Sequence, residues 1–145
     1  MIRHFQDSDQ EILISIFKQN IPKYFDPSEL ADFENHLQKN TTPYFTFLEN
    51  KEIIGGFGYS INENQTGSIT WIFFSPNHTG IGSGTKALQF CHEQMKEQFG
   101  VTHFSIRTSQ YAYEFFEKFG YATARFEKDY WGEGLDLYEM KRIAD

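Results

Sequence analysis

Apolar positions along the chain switch between helical and alternating spacing, and the changeovers set the predicted elements. Met1–Phe5 reads as a short strand. Ser8-Asp9-Gln10-Glu11 has capping-box spacing ahead of apolar Leu13, Ile16 and Phe17, which predicts a first helix to about Asn20. Asp26-Pro27-Ser28-Glu29 repeats the start signal, with Pro27 at the first helical position and Leu30, Phe33 and Leu37 at helical spacing behind it. From Thr42 the period falls to two. The stretch 44-YFTFLENKEIIGGFGYSI-61 alternates, is rich in aromatics and places Asn50-Lys51 as a two-residue turn, so two antiparallel strands are predicted.

The polar segment 62-NENQTG-67 breaks that pattern, and 69-ITWIFFS-75 is a continuous apolar run that suits a strand covered on both faces. Leu88, Cys91, Met95 and Phe99 then mark one face of a helix that stops at Gly100, followed by a strand over 101–107. Strand, helix, strand makes a βαβ unit, so 69–75 and 101–107 are predicted to be parallel. Ala112, Phe115, Phe116 and Phe119 sit at i, i+3, i+4 and i+7 on a short helix ended by Gly120. Two last strands, 121–128 and 135–141, are predicted to close across a loop, 129-DYWGEG-134. The expected order is β-α-α-β-β-β-α-β-α-β-β in one domain over residues 1–145, an α/β fold with a mixed sheet.

With 145 residues, 18 % aromatic content and 16 Phe, the chain can bury one substantial core. A net charge of −7 argues against nucleic acid or an anionic membrane as partner and favours a cationic small molecule or peptide. A lone Cys91 permits no internal disulfide, and Arg3, His4 and Asp7 interrupt any signal-like apolar run, so a cytoplasmic location is expected. No Cys or His pair has zinc spacing, and no metal is expected.

The stretch 76-PNHTGIGSGTKAL-88 places Gly80, Gly82 and Gly84 at every second position just before a helix. Helix N-terminal amides lack internal acceptors and favour negative charge, and glycines let a ligand approach them, so a phosphate or pyrophosphate is the expected ligand. A P-loop would require Gly-Lys-Ser/Thr at its end, whereas Lys86 follows Thr85; the dinucleotide fingerprint fails as well.

On these residues the chain resembles the GNAT superfamily of N-acetyltransferases. The family's Gln/Arg-x-x-Gly-x-Gly/Ala loop falls on 79-TGIGSG-84, after Phe74-Ser75-Pro76, with Thr79 in place of Gln or Arg. A second stretch, 108-TSQYAYEFFEKFGY-121, looks like the family's other signature, with Ser109, Ala112, Phe116, Gly120 and Tyr121 in its places. The resemblance runs from Ile2 to Met140. It implies a mostly antiparallel sheet of six or seven strands, about four flanking helices and a splayed parallel pair.

It further implies acetyl-CoA as co-substrate, held by the main chain of Ile72, Phe73 and Phe74 and by the loop residues Thr79, Gly80, Ile81, Gly82, Ser83, Gly84 and Thr85. Ser109 and Phe116 would line its arm, and a β-bulge is expected near Phe73–Ser75, where the strands must part. The reaction implied is direct attack of an amine on the thioester in a ternary complex. The family's usual Tyr proton donor is Phe116 here, so Tyr113 or Tyr111 is the candidate replacement. Neither strand 68–75 nor strand 101–107 carries an acid, which leaves Glu133, Asp129 or a water chain to take the ammonium proton. Asp129, Trp131 and Glu133 are the expected contacts to a cationic acceptor. His36 and His103 lack a visible partner and are not favoured as bases. The resemblance also makes a homodimer an assembly to expect. The rival reading is a non-catalytic acyl-CoA-binding or sensing module, suggested by Phe116 and the missing carboxylate. A nucleotide-binding regulator would rest on the glycines alone.

Overall fold

A computed structural model describes residues 1–78 and 82–143. Seven strands form one sheet: β1 (Ile2–His4), β2 (Tyr44–Glu49), β3 (Glu52–Ile61), β4 (Thr66–Phe74), β5 (His103–Thr108), β6 (Ala122–Gly132) and β7 (Leu135–Ile143). Their spatial order is β1-β2-β3-β4-β5-β7-β6. All neighbours run antiparallel except β4 and β5. Helices α1 (Gln10–Gln19) and α2 (Glu29–Lys39) belong to one layer, and α3 (Ser83–Phe99) and α4 (Tyr113–Glu117) to the other. The chain order of elements is the one predicted.

Two aromatic cores separate the layers. Phe45, Phe57, Leu88, Cys91, Met95 and Phe104 are fully or almost fully buried between the sheet and α3. On the opposite face Phe17, Phe33 and Phe73 cluster, with the rings of Phe17 and Phe33 stacked at 4.6 Å. Each such burial contributes on the order of 2 kcal/mol. Cys91 is the small core residue its spacing suggests, and burial pushes its thiol up, away from reactivity.

Local start signals are realised differently from their sequence reading. Ser8 does not cap α1; a single 3₁₀ turn over Asp7–Asp9 precedes it, and the Asp9 carboxylate accepts the Gln6 N–H at 2.9 Å. Asp9 wins this role because it also accepts the Arg3 guanidinium at 2.7 and 2.8 Å and the Thr46 hydroxyl at 2.8 Å, tying α1 to β1 and β2. Pro27 lies ahead of α2 rather than in its first turn, and Glu29 Oε2 accepts the Asp26 N–H at 2.8 Å. Asn50 and Lys51 both adopt positive φ, as the tight β2–β3 hairpin turn requires.

The predicted loop 129–134 is a correction. β6 continues to Gly132 with its register to β7 interrupted between Glu127 and Gly132, and only Glu133-Gly134 makes the turn. Asp129 supports this bulged ribbon: it takes φ +55, donates its N–H to Asp136 at 2.9 Å and accepts the Gly134 N–H at 2.8 Å. No helix among the described residues is long and apolar enough to cross a membrane.

Candidate functional site in the cleft between the parallel strands

β4 and β5 pair only at Thr66–His103, Gly67–Phe104 and Ser68–Ser105. The Ser68 and Ser105 hydroxyls bond at 2.7 Å at the last of these pairs and mark the apex of a V. Beyond it β5 stays on β7 and β4 stays on β3. The edge of Ile69–Phe74 that faces β5 is therefore free of ladder hydrogen bonds, a polar main-chain strip that an extended ligand can pair with.

The kink that parts them lies earlier than expected, at Trp71 rather than Phe73–Ser75. Gly56 pairs with Phe73 and Gly58 with Thr70, so Trp71 and Ile72 together oppose Phe57, and Trp71 takes φ +45. The extra residue changes the faces. Ile69 packs toward α3 and Phe73, four positions on, toward α1 and α2. A regular strand would put them on the same face. Trp71 turns its carbonyl to the Tyr44 hydroxyl, which donates to it at 2.7 Å. Its ring lies among Phe17, Phe25, Phe33 and His36, at 5.4 Å from Phe33.

One end of the V meets α3. Gly82, at φ +81, is its N-cap, and the first intrahelical bond runs from Lys86 N–H to Gly82 O at 3.1 Å. The N–H groups of Ser83, Gly84 and Thr85 consequently have no acceptor within the helix. At Gly84 a Cβ would come within 3.0 Å of the Phe115 ring, so the helix start and α4 approach each other closely. Beside this end, Met1, Phe47, Leu48, Lys51, Ser83 and Lys86 line a cavity of about 390 Å³. Lys51 and Lys86 bring positive charge to it, against the one carboxylate of Glu49. Thr79, Gly80 and Ile81 lie outside the described residues.

Of the expected arm contacts, Ile72 and Phe74 are half-buried and pack against the α3 core. Phe73 is buried among the α1 and α2 rings, and the Phe74 carbonyl already accepts the Asn20 side-chain amide at 3.1 Å. Ser109 is buried with its hydroxyl accepting the Tyr111 N–H at 3.3 Å. Phe116 is only 3 % exposed and belongs to the core, against Phe115 and Tyr121. Tyr113, one position into α4, lies parallel to Tyr138 with centroids 4.2 Å apart. The nearby Glu114 raises the Tyr113 pKa, then slight burial, Tyr138 and Glu117, which keeps the phenol protonated at neutral pH.

The other end of the V is bridged by three segments remote in sequence. Trp131 donates its indole N–H to the Thr108 carbonyl at 3.2 Å, and Arg107 lies over the Tyr130 ring at 5.0 Å. Gln110 holds the β6–β7 turn through Gly134 O and the Asp136 N–H, both at 2.8 Å. From the other side Tyr24 meets Tyr111 edge to face at 6.4 Å. The Asp26 carboxylate packs directly on Gly132, where a Cβ would displace it. Glu133 is exposed at the turn.

Sequence reasoning missed Glu29 here. Glu29 is 8 % exposed, and burial, reinforced by the charges of Asp26 and Asp32 and opposed by the Asp26 N–H bond, pushes its pKa up to about 7. The capping-box spacing announces its bond to the Asp26 N–H, but nothing local in sequence announces its burial. His36, beside Trp71, has its pKa lowered by burial, and its Nε2 is buried without a partner among the described residues. His103 is exposed, and its ring bonds its neighbour Thr102 at 3.0 Å and nothing else among the described residues. No metal-holding group of His, Cys, Asp or Glu occurs among the described residues.

Solved structures share this geometry over nearly their whole length. A protein described as a putative acetyltransferase of the GNAT family from Desulfovibrio desulfuricans superposes with a TM-score of 0.83 at 15 % identity, covering 99 % of this chain and 98 % of that one. The ribosomal-protein-S18-alanine N-acetyltransferase of Escherichia coli gives 0.81 at 14 % identity, covering 100 % and 94 %. An aminoglycoside 6'-N-acetyltransferase in complex with coenzyme A gives 0.79 at 12 % identity, covering 99 % and 96 %. No curated protein matches the chain significantly. The profile of the acetyltransferase (GNAT) family matches residues 10–121, well over half of the chain. With its splayed β4–β5 pair and a glycine-started α3, this chain belongs to the GNAT acetyltransferase family.

Proposed function

We propose that residues 1–145 form a single-domain N-acetyltransferase that moves an acetyl group from acetyl-CoA to a primary amine, by direct attack in a ternary complex. The observation that carries this reading is the free edge of Ile69–Phe74 together with the N–H groups at the start of α3 that have no acceptor within the helix. Acetyl-CoA supplies the activated acyl group as its thioester. Its pantetheine arm is a string of amides that matches the β4 edge, and its pyrophosphate matches Gly82, Ser83, Gly84 and Thr85 together with Thr79, Gly80 and Ile81. Lys51 and Lys86 suit the remaining phosphate of the nucleotide.

Tyr113 is assigned as proton donor to the leaving thiolate, since its phenol is protonated at neutral pH and stands at the start of α4. Asp129, Trp131 and Glu133 are assigned to the acceptor side. Glu133 is the outer carboxylate that draws in a cationic amine, while Asp129 and Trp131 shape the ribbon through their bonds to Gly134 and Thr108. The net charge of −7 supports a cationic acceptor over a nucleic acid or an anionic membrane. A second reading, a non-catalytic acyl-CoA module, draws on the burial of Phe116 where the family's Tyr would stand.

The test is a thermal unfolding titration with acetyl-CoA, with ATP and NAD as controls, followed by thiol release with a panel of primary amines. Saturation near 100 Kd should add about 2.7 kcal/mol, on the order of 5–10 °C in Tm. A shift with CoA compounds alone and thiol release with an amine support the enzyme. A shift without release on any amine supports the binding module, and no shift removes both.

A further inference from the structure

Glu29 is a buried carboxylate with one oxygen to spare. Oε2 accepts the Asp26 N–H at 2.8 Å, and Oε1, which makes no hydrogen bond among the described residues, is not one of the fully buried unpartnered atoms and so stays open to solvent or a ligand. Phe33 follows Glu29 by one turn on α2, and the rings of Phe33 and of Phe25, which precedes the helix, pack on Trp71 at 5.4 and 6.2 Å between centroids. Glu29 thus lies on the face of α2 that covers the bulge of β4, the residue pair whose kink opens the cleft. Asp26, to which it is bonded, contacts Gly132 on the opposite arm.

We propose that Glu29 accepts the proton of the acceptor ammonium, so that the acceptor is a primary alkylammonium whose nitrogen enters between the Trp71 bulge and the Asp26–Gly132 contact. This rests on the acetyltransferase reading above. The acceptor R–NH3+ gives one proton to the Glu29 carboxylate, directly or through one water, and later this proton passes to solvent. The freed nitrogen lone pair forms the C–N bond at the thioester carbonyl carbon, and the C–S bond breaks with its electron pair leaving on sulfur. Tyr113 protonates that sulfur and recovers a proton from the new amide nitrogen. The products are the acetamide and CoA thiol.

The surroundings suit a base working near neutrality. On its own segment Glu29 feels Asp26 and Asp32, both of which make its proton harder to lose. The facing ribbon adds Asp129 and Glu133, the α1–α2 segment adds Lys23 at the rim, and His36 beside Trp71 is disfavoured by burial as a cation. Aromatic walls and an excess of acids fit an ammonium headgroup better than an anionic one.

Glu29→Gln keeps an oxygen for the Asp26 N–H and so preserves the cap. It is expected to lower kcat/KM for an alkylamine by about 100-fold, and to remove an inflection near pH 7 from the pH profile, with acetyl-CoA affinity unchanged. Equal kcat/KM and an unchanged profile in Glu29→Gln would overturn the proposal while leaving the acetyltransferase standing. A wild-type protein inert toward every amine would instead defeat the function, and a second measurement then decides the site. The ¹³C resonance of the Glu29 carboxyl is titrated with and without n-butylammonium. A midpoint that moves to lower pH with the ammonium supports the site; a midpoint indifferent to it refutes it.

Discussion

At the α3 end of the cleft the groups on offer are main-chain N–H donors from Ser83, Gly84 and Thr85 and the bare edge of β4. At the other end they are side chains, with Glu29 and Asp26 from one segment, Trp71 from a bulge and Trp131 and Glu133 from a ribbon about a hundred residues later. The first end needs only a backbone of the right shape, so a few glycines and a strand suffice. The second needs remote segments held together by Tyr24 on Tyr111 and Asp26 on Gly132. A site made of main chain tolerates sequence change, whereas a site made of side chains is where members of one fold can differ in substrate.

The contrast breaks most severely through Asp9, which anchors the layer that carries the side-chain end of the cleft. Asp9→Ala strands the Arg3 guanidinium and frees the Gln6 N–H and Thr46 hydroxyl, and is expected to cost about 3–5 kcal/mol in urea unfolding. Burial alone would raise the Asp9 pKa, but the Arg3, Gln6 and Thr46 contacts outweigh it and hold it low. Its contribution is therefore present above the unfolded value and is lost as pH falls through the lower folded value. Retained stability in acid-independent form after Asp9→Ala would show that the two ends do not depend on this anchor.

Gly84→Val strikes the other end. It drives a branched side chain into Phe115 and should weaken acetyl-CoA binding by about tenfold, a loss of roughly 1.4 kcal/mol, read by calorimetry. Normal acetyl-CoA affinity with normal stability would separate the α3 start from the nucleotide. Tyr113→Phe keeps the stack on Tyr138 and removes only the hydroxyl. A fall in kcat of about 10-fold or more with unchanged acetyl-CoA affinity is expected, and an unaltered kcat would clear Tyr113 of a chemical role.

Glu133→Gln, at an exposed position, should raise the acceptor KM a few-fold at low salt, on the order of 2–5-fold, and the effect should fade at high salt. An unchanged KM would take the turn out of acceptor capture. The smallest effect is on the pH dependence of stability. Because burial raises Glu29 to about 7, its contribution is full below the unfolded value of 4.5 and is lost as pH rises through about 7. Glu29→Gln should flatten that part of the Tm-against-pH curve; an identical slope would place the charge of Glu29 outside the coupling.

Much of the fold was legible because its signals are local. Period-two runs gave β2 and β3, Asn50-Lys51 gave their turn, and Gly100 and Gly120 gave two helix ends, both at positive φ. The ribbon over 129–134 was misplaced because Gly132 and Gly134 read as loop residues, whereas pairing with β7 and the Asp129 bonds make most of the stretch strand. Phe116 looked like an arm contact on its motif, yet its helical face is shared with core residues. Glu29 was overlooked because a capping carboxylate is ordinarily exposed, and nothing near it in sequence announces the aromatic wall that buries it.

What the sequence by itself determined is the order of elements, the parallel β4–α3–β5 unit and the glycine-rich, main-chain character of the α3 end of the cleft, because spacing and glycine conformation act over a few residues. Tertiary structure alone decided where β4 kinks, which carboxylate is desolvated and which three segments meet at the mouth. Those outcomes depend on packing between residues as distant as Asp26 and Gly132, and burial of that kind has no expression in the local pattern.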